Sequence, residues 1–470
     1  MEYFRKTKII CTIGPSSEDE ETMKNLMLAG MNVARFNFSH GDHAEQKEKL
    51  NRLKKVREEL QLPVAALMDT KGPEIRLKDF KDGKVTLDAG QTFTLTTKDV
   101  EGTKEIVSIT YKDLPKDVEV GTHILIDDGL IEMEVTEVTD TDIICRVDNG
   151  GALSNKKGVN VPNVDLSMDY ISPKDYKDIV FAVQQDFDFI AASFVRSAED
   201  VRAIRDILLD HGRHDIQIIA KIENMQGFNN IDEIIAAADG IMVARGDLGV
   251  EVPMEDVPIM QKMIIKKTYE AGKIVVTATQ MLDSMIHNPR PTRAEVTDVA
   301  NAVYDGTSAI MLSGETAAGA YPIEAVKTMA KIAVKTEKNI DYIERLRRRS
   351  KLTHSKITDA ITHSTCTMAS DLDATAIVTL TKSGKTAHSV SRFRPEAPII
   401  AGVMTEKVMR QMNLAWGIIP IMVEEKTDAE ELIVHAIECG KEKGLLEEGD
   451  IVVVTAGVPL GISGTTNLIR

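Results

Sequence analysis

Eight short runs of β-branched or apolar residues, each leading into a stretch of helical or mixed character, constrain this chain more than any other feature. They occupy residues 8–12, 32–37, 64–69, 189–194, 216–221, 240–244, 274–278 and 309–312. Between them, residues 20–29, 43–60, 198–211, 230–238 and 258–271 carry apolar side chains at helical spacing. That alternation specifies a parallel sheet covered by helices. Eight units predict an α/β fold closed as a (β/α)8 TIM barrel rather than an open doubly wound sheet.

The alternation is suspended between the third and fourth units. From residue 70 to 167, stretches such as Lys84-Val85-Thr86-Leu87 and Thr92-Phe93-Thr94-Leu95-Thr96 alternate apolar with polar, and Asp82-Gly83 and Asp128-Gly129 supply turns. This predicts an inserted all-β domain that leaves the barrel on a loop following a strand, where it can close over a ligand as a lid. After residue 345 a new α/β series begins, with strands expected at 376–380, 399–403, 418–422 and 451–455. The expected organisation is a barrel from residues 1–69 and 168–345, a lid from 70–167 and a C-terminal α/β domain from 346–470.

Composition narrows the function. Lys and Arg number 57 against 73 Asp and Glu, a net charge of −16; such a chain repels a nucleic-acid backbone and needs local cations to hold any phosphorylated metabolite. Cys11, Cys145, Cys366 and Cys439 form no metal or disulfide pattern, and no run approaches a membrane span. The expectation is a cytoplasmic protein that binds neither nucleic acid nor membrane. The basic run Arg345-Leu346-Arg347-Arg348-Arg349 reads as a solvated interdomain helix rather than a targeting signal.

In a barrel, chemistry gathers where strands hand over to loops. Strand two ends Arg35-Phe36-Asn37-Phe38-Ser39-His40, its period of two placing Arg35, Asn37 and Ser39 on one face; strand three runs into Asp69-Thr70-Lys71-Gly72-Pro73-Glu74-Ile75-Arg76. Strand five ends Lys221-Ile222-Glu223, strand six Arg245-Gly246-Asp247, strand seven Ala278-Thr279 and strand eight Ser313-Gly314-Glu315. Any one polar end is ordinary loop chemistry. Together, Glu223 and Asp247 on adjacent strands can share a hard divalent ion such as Mg2+, which prefers one or two carboxylates. Lys221, held charged by that neighbourhood, suits a phosphoryl group better than Schiff-base chemistry. Asn37, Ser39, Asp69 and Thr70 offer a cage of oxygens for a monovalent cation.

Longer motifs now carry a resemblance. TKIICTIGPSS, NVARFNFSHG, LMDTKGPEIR, NKKGVNVP, IAKIEN, MVARGDLGVE, TATQMLDSMIHNPRPTRAE and DGTSAIMLSGET are similar to those of the pyruvate kinases over essentially the whole length. The resemblance implies transfer of a phosphoryl group from phosphoenolpyruvate to ADP, giving pyruvate and ATP. It implies Glu223 and Asp247 as ligands of Mg2+ or Mn2+, and Asn37, Ser39, Asp69 and Thr70 as ligands of K+, with Glu74 at the position that accompanies potassium dependence. It places Lys221 on the migrating phosphoryl group and Arg35 on phosphate. Gly246 and Asp247 lend backbone amides to the substrate carboxylate, while Thr279 and Ser313 lie near the carbon that is protonated. His40, Arg76 and Lys157 fall on the nucleotide side. A homotetramer is implied as well.

In the C-terminal domain, Thr381-Lys382-Ser383-Gly384-Lys385-Thr386 precedes a helix expected near Ala387; Thr379 occupies the place of a Walker motif's first glycine, so that motif is absent. Its hydroxyls and amides suit a phosphate, with the loop 457–466 able to cover it, and the resemblance implies an allosteric effector here, fructose 1,6-bisphosphate, AMP or a sugar monophosphate. Two departures stand out: Ser308 replaces a usual aspartate, and 166–171 is irregular at the lid's return hinge. Other readings of the carboxylate pair are a lyase or aldolase acting on a pyruvate enolate, against which the insert and the nucleotide-side cations argue. A non-catalytic sugar-phosphate sensor is disfavoured by the cations kept in the barrel.

Overall fold

The computed structural model describes residues 4–349, 356–460 and 466–470. Eight parallel strands close into a barrel: β1 (Lys8–Thr12), β2 (Val33–Asn37), β3 (Ala65–Asp69), β4 (Phe189–Ala192), β5 (Gln217–Ile222), β6 (Gly240–Ala244), β7 (Ile274–Ala278) and β8 (Ala309–Leu312). β1 closes the ring by pairing with both β2 and β8. The period of two sorts every strand. Ile10, Val33, Leu67, Phe189, Ile219, Met242, Val276 and Met311 fill the interior, whereas Ile9, Phe36, Met68, Ile190, Ile218, Ile241, Val275 and Ile310 pack beneath the helices.

The helices begin and end on local signals. Asp19 and Asp42 cap Glu20–Ala29 and His43–Leu60 by accepting backbone N–H bonds, and Gly30 ends the first in a positive-φ conformation (φ 121°) that a glycine adopts freely.

Between β3 and β4 the chain builds a separate β core. Seven strands run in the order Ile75–Arg76, Gly158–Asn160, His123–Ile126, Ile131–Val138, Asp142–Asn149, Thr92–Thr96 and Ile106–Ser108, and Lys84–Leu87 pairs with Gly151–Ser154. Phe93, Leu95, Ile124, Met133 and Val147 are buried in it. The irregular return segment is held from both sides: Arg196 Nη1 donates to the Leu166 and Met168 carbonyls, and Tyr170 Oη donates to Ser193 O at 3.0 Å. Asn160 Nδ2 reaches Glu251 Oε1 at 2.7 Å, joining this insert to the barrel.

The C-terminal sheet has the order β11 (Ile418–Met422), β10 (Ile399–Val403), β9 (Ala376–Leu380), β12 (Val452–Gly457) and β13 (Thr466–Ile469). It docks on the end of the barrel where the strands begin. Leu414 joins the barrel's interior cluster, Lys8 Nζ donates to Ile418 O at 2.6 Å, and Arg394 Nη2 donates to Gly306 O and to Ser308 Oγ, at 3.1 and 3.0 Å. Ser308 therefore lies at the mouth away from the strand ends. β13 was not expected from the sequence, and much of the expected covering loop 457–466 lies outside the described residues.

Candidate active site

Interior positions that are apolar through the barrel become polar where the strands end. Continuing the inward parity of Val33, Leu67 and Ile219 leads to Arg35, Asp69, Lys221 and Glu223, which meet in one buried group. Lys221 Nζ lies 3.1 Å from Asp69 Oδ1, 2.9 Å from Glu223 Oε1 and 2.9 Å from Ser193 Oγ; Arg35 Nε pairs with Asp69 Oδ2 at 2.6 Å and Nη1 donates to Thr12 Oγ1 at 3.0 Å. Burial opposes the charge on Lys221, but Asp69 and Glu223 outweigh it and hold the ammonium protonated above its ordinary range. Burial likewise opposes ionisation of Asp69, and the Arg35 and Lys221 charges overcome it, leaving its pKa below the ordinary value.

Glu223 is different. Burial pushes its carboxyl up to about 8 against the pull of Lys221, and the nearby Asp247 charge adds to the rise. Oε2 accepts from Phe194 N at 2.5 Å, while Oε1 touches the ammonium without receiving an aligned hydrogen bond. A buried carboxylate with a second carboxylate close enough to raise its pKa is a donor set that suits a hard cation. Among the described residues no three His, Cys, Asp or Glu side chains gather as an all-protein metal cage. Two carboxylates suffice for Mg2+, which keeps waters or substrate oxygens in its remaining positions.

Ser193 is the residue that sequence reasoning missed. Its hydroxyl accepts from Lys221 and lies within hydrogen-bond distance of Thr70 O and Asp69 Oδ1, at 2.6 and 3.1 Å, so it ties β3, β4 and β5 together. It shares the inward parity of Phe189 and Ala191, and that parity was the available signal. Phe194, next to it, holds a left-handed backbone (φ 54°) that aims its N–H at Glu223. Gly72, at φ 72°, packs so closely on Ser193 that a Cβ would sit 2.8 Å from its carbonyl oxygen.

Of the oxygens expected to form a monovalent cage, Asn37 Oδ1 accepts from Ser39 N at 3.0 Å and Thr70 Oγ1 from Ser193 N at 3.0 Å, with both Asp69 oxygens engaged as above. Ser39 and His40 are exposed on the loop after β2. Across the mouth, Gly246 N donates to Thr279 Oγ1 at 2.7 Å. Ser313 Oγ is buried without a hydrogen-bond partner and its N–H donates to the buried Glu315 at 2.7 Å. Arg76 lies on a strand of the insert and Lys157 just before the strand that pairs with it, Arg76 against Glu74 at 2.6 Å and Lys157 against Asp127 at 2.8 Å. No contact joins His40 to either of them among the described residues.

In the C-terminal domain the helix begins at Lys385, two residues earlier than the expected Ala387. Gly384 precedes it at φ 83°, Lys382 Nζ pairs with Glu425 at 3.0 Å, and Thr386 Oγ1 meets Thr466 Oγ1 at 2.9 Å.

The family model described as pyruvate kinase, barrel domain, matches residues 4–326, and that described as pyruvate kinase, alpha/beta domain, matches residues 359–470. The chain is 51% identical over 467 residues to a pyruvate kinase of Clostridium acetobutylicum, with 99% of each covered. It is 52% identical over 468 residues to one of Geobacillus stearothermophilus, covering 99% of this chain and 80% of that one. Among solved structures, a pyruvate kinase from Cryptosporidium parvum superposes with a TM-score of 0.94 at 41% identity, over 99% of this chain and 95% of that one.

Proposed function

The chain belongs to the pyruvate kinase family, and from that premise we propose that it transfers the phosphoryl group of phosphoenolpyruvate to ADP, with Lys221 as the group that stabilises the migrating phosphoryl. The observation that carries this assignment is the buried ammonium of Lys221, held between Asp69, Glu223 and Ser193 at the mouth of the barrel. A charge fixed in a dry site is already oriented when negative charge develops, so it acts on the transition state without reorganising.

Arg35 holds phosphate from the β2 side. Gly246 and Asp247 present backbone amides to the substrate carboxylate, which competes with Thr279 Oγ1 for the Gly246 N–H. Thr279 and Ser313 lie on the side where the enolate carbon receives its proton. Glu223 and Asp247 would hold Mg2+ or Mn2+, which when bound neutralises and orients phosphate oxygens. Asn37, Ser39, Asp69 and Thr70 would hold K+. Arg76, Lys157 and His40 serve the nucleotide from lid and rim. Collapse of the enol to its keto form drives the reaction toward pyruvate and ATP.

We place a phosphorylated effector on Thr381-Lys382-Ser383-Gly384-Lys385-Thr386, on the strength of the family resemblance and of the hydroxyls there. A homotetramer is the assembly this reading adopts, on the strength of the family resemblance. Cytoplasmic residence agrees with four free cysteines. No helix among the described residues is long and apolar enough to cross a membrane.

The test is turnover of phosphoenolpyruvate with ADP, read through a coupled lactate dehydrogenase. Pyruvate should form only with ADP present, and should fail on omission of the divalent ion or of K+. Absence of ADP-dependent pyruvate overturns the assignment.

A further inference from the structure

Two consecutive residues at the end of β7, Thr279 and Gln280, hold left-handed backbone at φ 68° and 54°. Neither is glycine, and a β-branched threonine at positive φ is a steric outlier that persists only where its surroundings enforce it. The enforcing group is Arg245, from the neighbouring β6 end. Its Nε donates to Ala278 O at 3.2 Å and its Nη2 to Thr279 O at 2.7 Å, with Met281 Sδ at 2.9 Å. Nη1 is anchored on Asp298 Oδ1 at 2.7 Å. The guanidinium is thus a partly buried fork across the peptide units that flank Thr279, and its far end is fixed by a carboxylate on the helix Arg293–Asp305.

The same stretch makes a second link in the opposite direction. Gly246, the residue after Arg245, donates its N–H to Thr279 Oγ1, and that hydroxyl donates to Ala278 O at 2.6 Å. β6 and β7 are therefore laced at their ends by one side chain and one backbone amide, and both lead to Thr279. We propose that Arg245 is a positioning residue for the reaction, a clamp that keeps Thr279 and Gln280 left-handed so that the Thr279 hydroxyl and the Gly246 amide stand in register for the substrate. The inference rests on the reading that places Thr279 and Gly246 at the substrate.

Arg245→Lys keeps the charge but lacks the planar fork that spans both carbonyls. It should lower kcat/KM for phosphoenolpyruvate by about 10- to 100-fold, the scale of a small misplacement of reacting groups, while KM for ADP stays within about twofold and Tm is nearly kept. Adding Gln280→Gly, which adopts positive φ without strain, should recover about threefold or more of that loss. If Arg245→Lys does not fold, Asp298→Ala, which frees the far end of the clamp, should give the same signature in weaker form. Wild-type kcat/KM in the variants that fold overturns the proposal. So does a loss shared equally by the ADP constant and Tm that Gln280→Gly leaves untouched, since that marks a merely structural residue. Thr279→Val, measured alongside, separates the levels: wild-type turnover there refutes the reading of the substrate side itself, whereas impairment there with intact Arg245 variants refutes the clamp alone.

Discussion

Two pairs of buried cations, one at each mouth of the barrel, are held in opposite ways. Where the strands end, Lys221 has carboxylates on two sides and Arg35 has one, and the backbone around them is strained at Phe194 and Thr279. Where the strands begin, Lys8 is equally buried but gives its ammonium to one carbonyl, Ile418 O, and to the face of Phe4 at 4.9 Å. Arg394 behaves the same way, bonded to Gly306 O, Ser391 O and Ser308 Oγ beneath Trp416, with no carboxylate among its described partners. Lys221 and Arg35, paired with carboxylates where the strands end, can respond to an incoming anion. Lys8 and Arg394, spent on carbonyls and rings, hold two domains together, as does Arg410, which reaches Asp188 Oδ1 just before β4 at 2.9 Å. On the proposed reading the first pair serves chemistry and the second assembly, as expected where catalytic residues crowd one face of a barrel and stabilising residues the other.

The sharpest way to break this comparison is Lys221→Met. If the strand-end ammonium acts on charge that develops during transfer, turnover should fall by about 10²- to 10³-fold, the cost of removing one preorganised donor. KM for phosphoenolpyruvate should hardly move, because little of the interaction is made in the ground state. Steady-state kinetics with each substrate varied decide it, and a loss confined to KM would sink the role. The variant also leaves Asp69 with Arg35 as its remaining counter-charge.

Much of this division was legible in the sequence, for a physical reason. Inward-facing positions recur every second residue, so a run such as Ile219-Ala220-Lys221-Ile222-Glu223 announces that its interior parity turns from apolar to charged as the strand leaves the core. Ser193 went unnoticed because a short neutral hydroxyl at a strand end looks like any loop residue, although it stands in phase with Phe189 and Ala191. The Arg245 clamp left no trace: the acceptors that flank Thr279 are backbone carbonyls, and left-handed dihedrals at Thr279 and Gln280 contradict the local preference of both residue types. β13 escaped because it is a four-residue edge strand that pairs antiparallel with β12, outside the βα rhythm that revealed the others. The burial of Lys8 was equally hidden, since a lysine opening a strand is ordinarily exposed and only the docked domain covers it.

Lys8 offers the next test. Burial pulls its pKa down to about 7, with the Arg5 charge adding to the fall and Glu337 opposing it. The unfolded chain binds this proton up to an ordinary pKa near 10.5, so folding releases it between those limits. The group's contribution to stability is therefore fully favourable above about 10.5 and is lost as pH falls to about 7. Lys8→Met removes the titration. Its Tm relative to wild type should rise steadily from pH 10 to pH 7, by the equivalent of about 2–3 kcal/mol, below the full linkage value because relaxation softens buried charges. Activity per folded molecule should be unchanged. A stability difference that is flat across this range would mean that the strand-start mouth carries no buried-charge cost.

The smallest expected effect bears on the same mouth from the other side. Ser308 occupies the place where an aspartate is usual in the resembling sequences, and its Oγ already accepts from Arg394 Nη2 at 3.0 Å and from Val275 N at 3.1 Å. Burial, and then the Arg349 and Arg345 charges, pull the Arg394 pKa well down. The guanidinium has been desolvated without a counter-ion. Ser308→Asp supplies one at hydrogen-bond distance, and the Val275 N–H can still donate to it, so the new carboxylate is not left unsatisfied. An isolated buried pair roughly breaks even because both ions must be dehydrated, but here one of them is dehydrated already and only the aspartate's share is new. The expected gain is about 1 kcal/mol, seen as an upward shift in Tm of about 1–2 °C, with kcat and both KM values unchanged, since the site lies at the opposite mouth. A loss of stability would mean that carbonyls and rings already satisfy Arg394, and the distinction between the two mouths would then rest on packing rather than on charge.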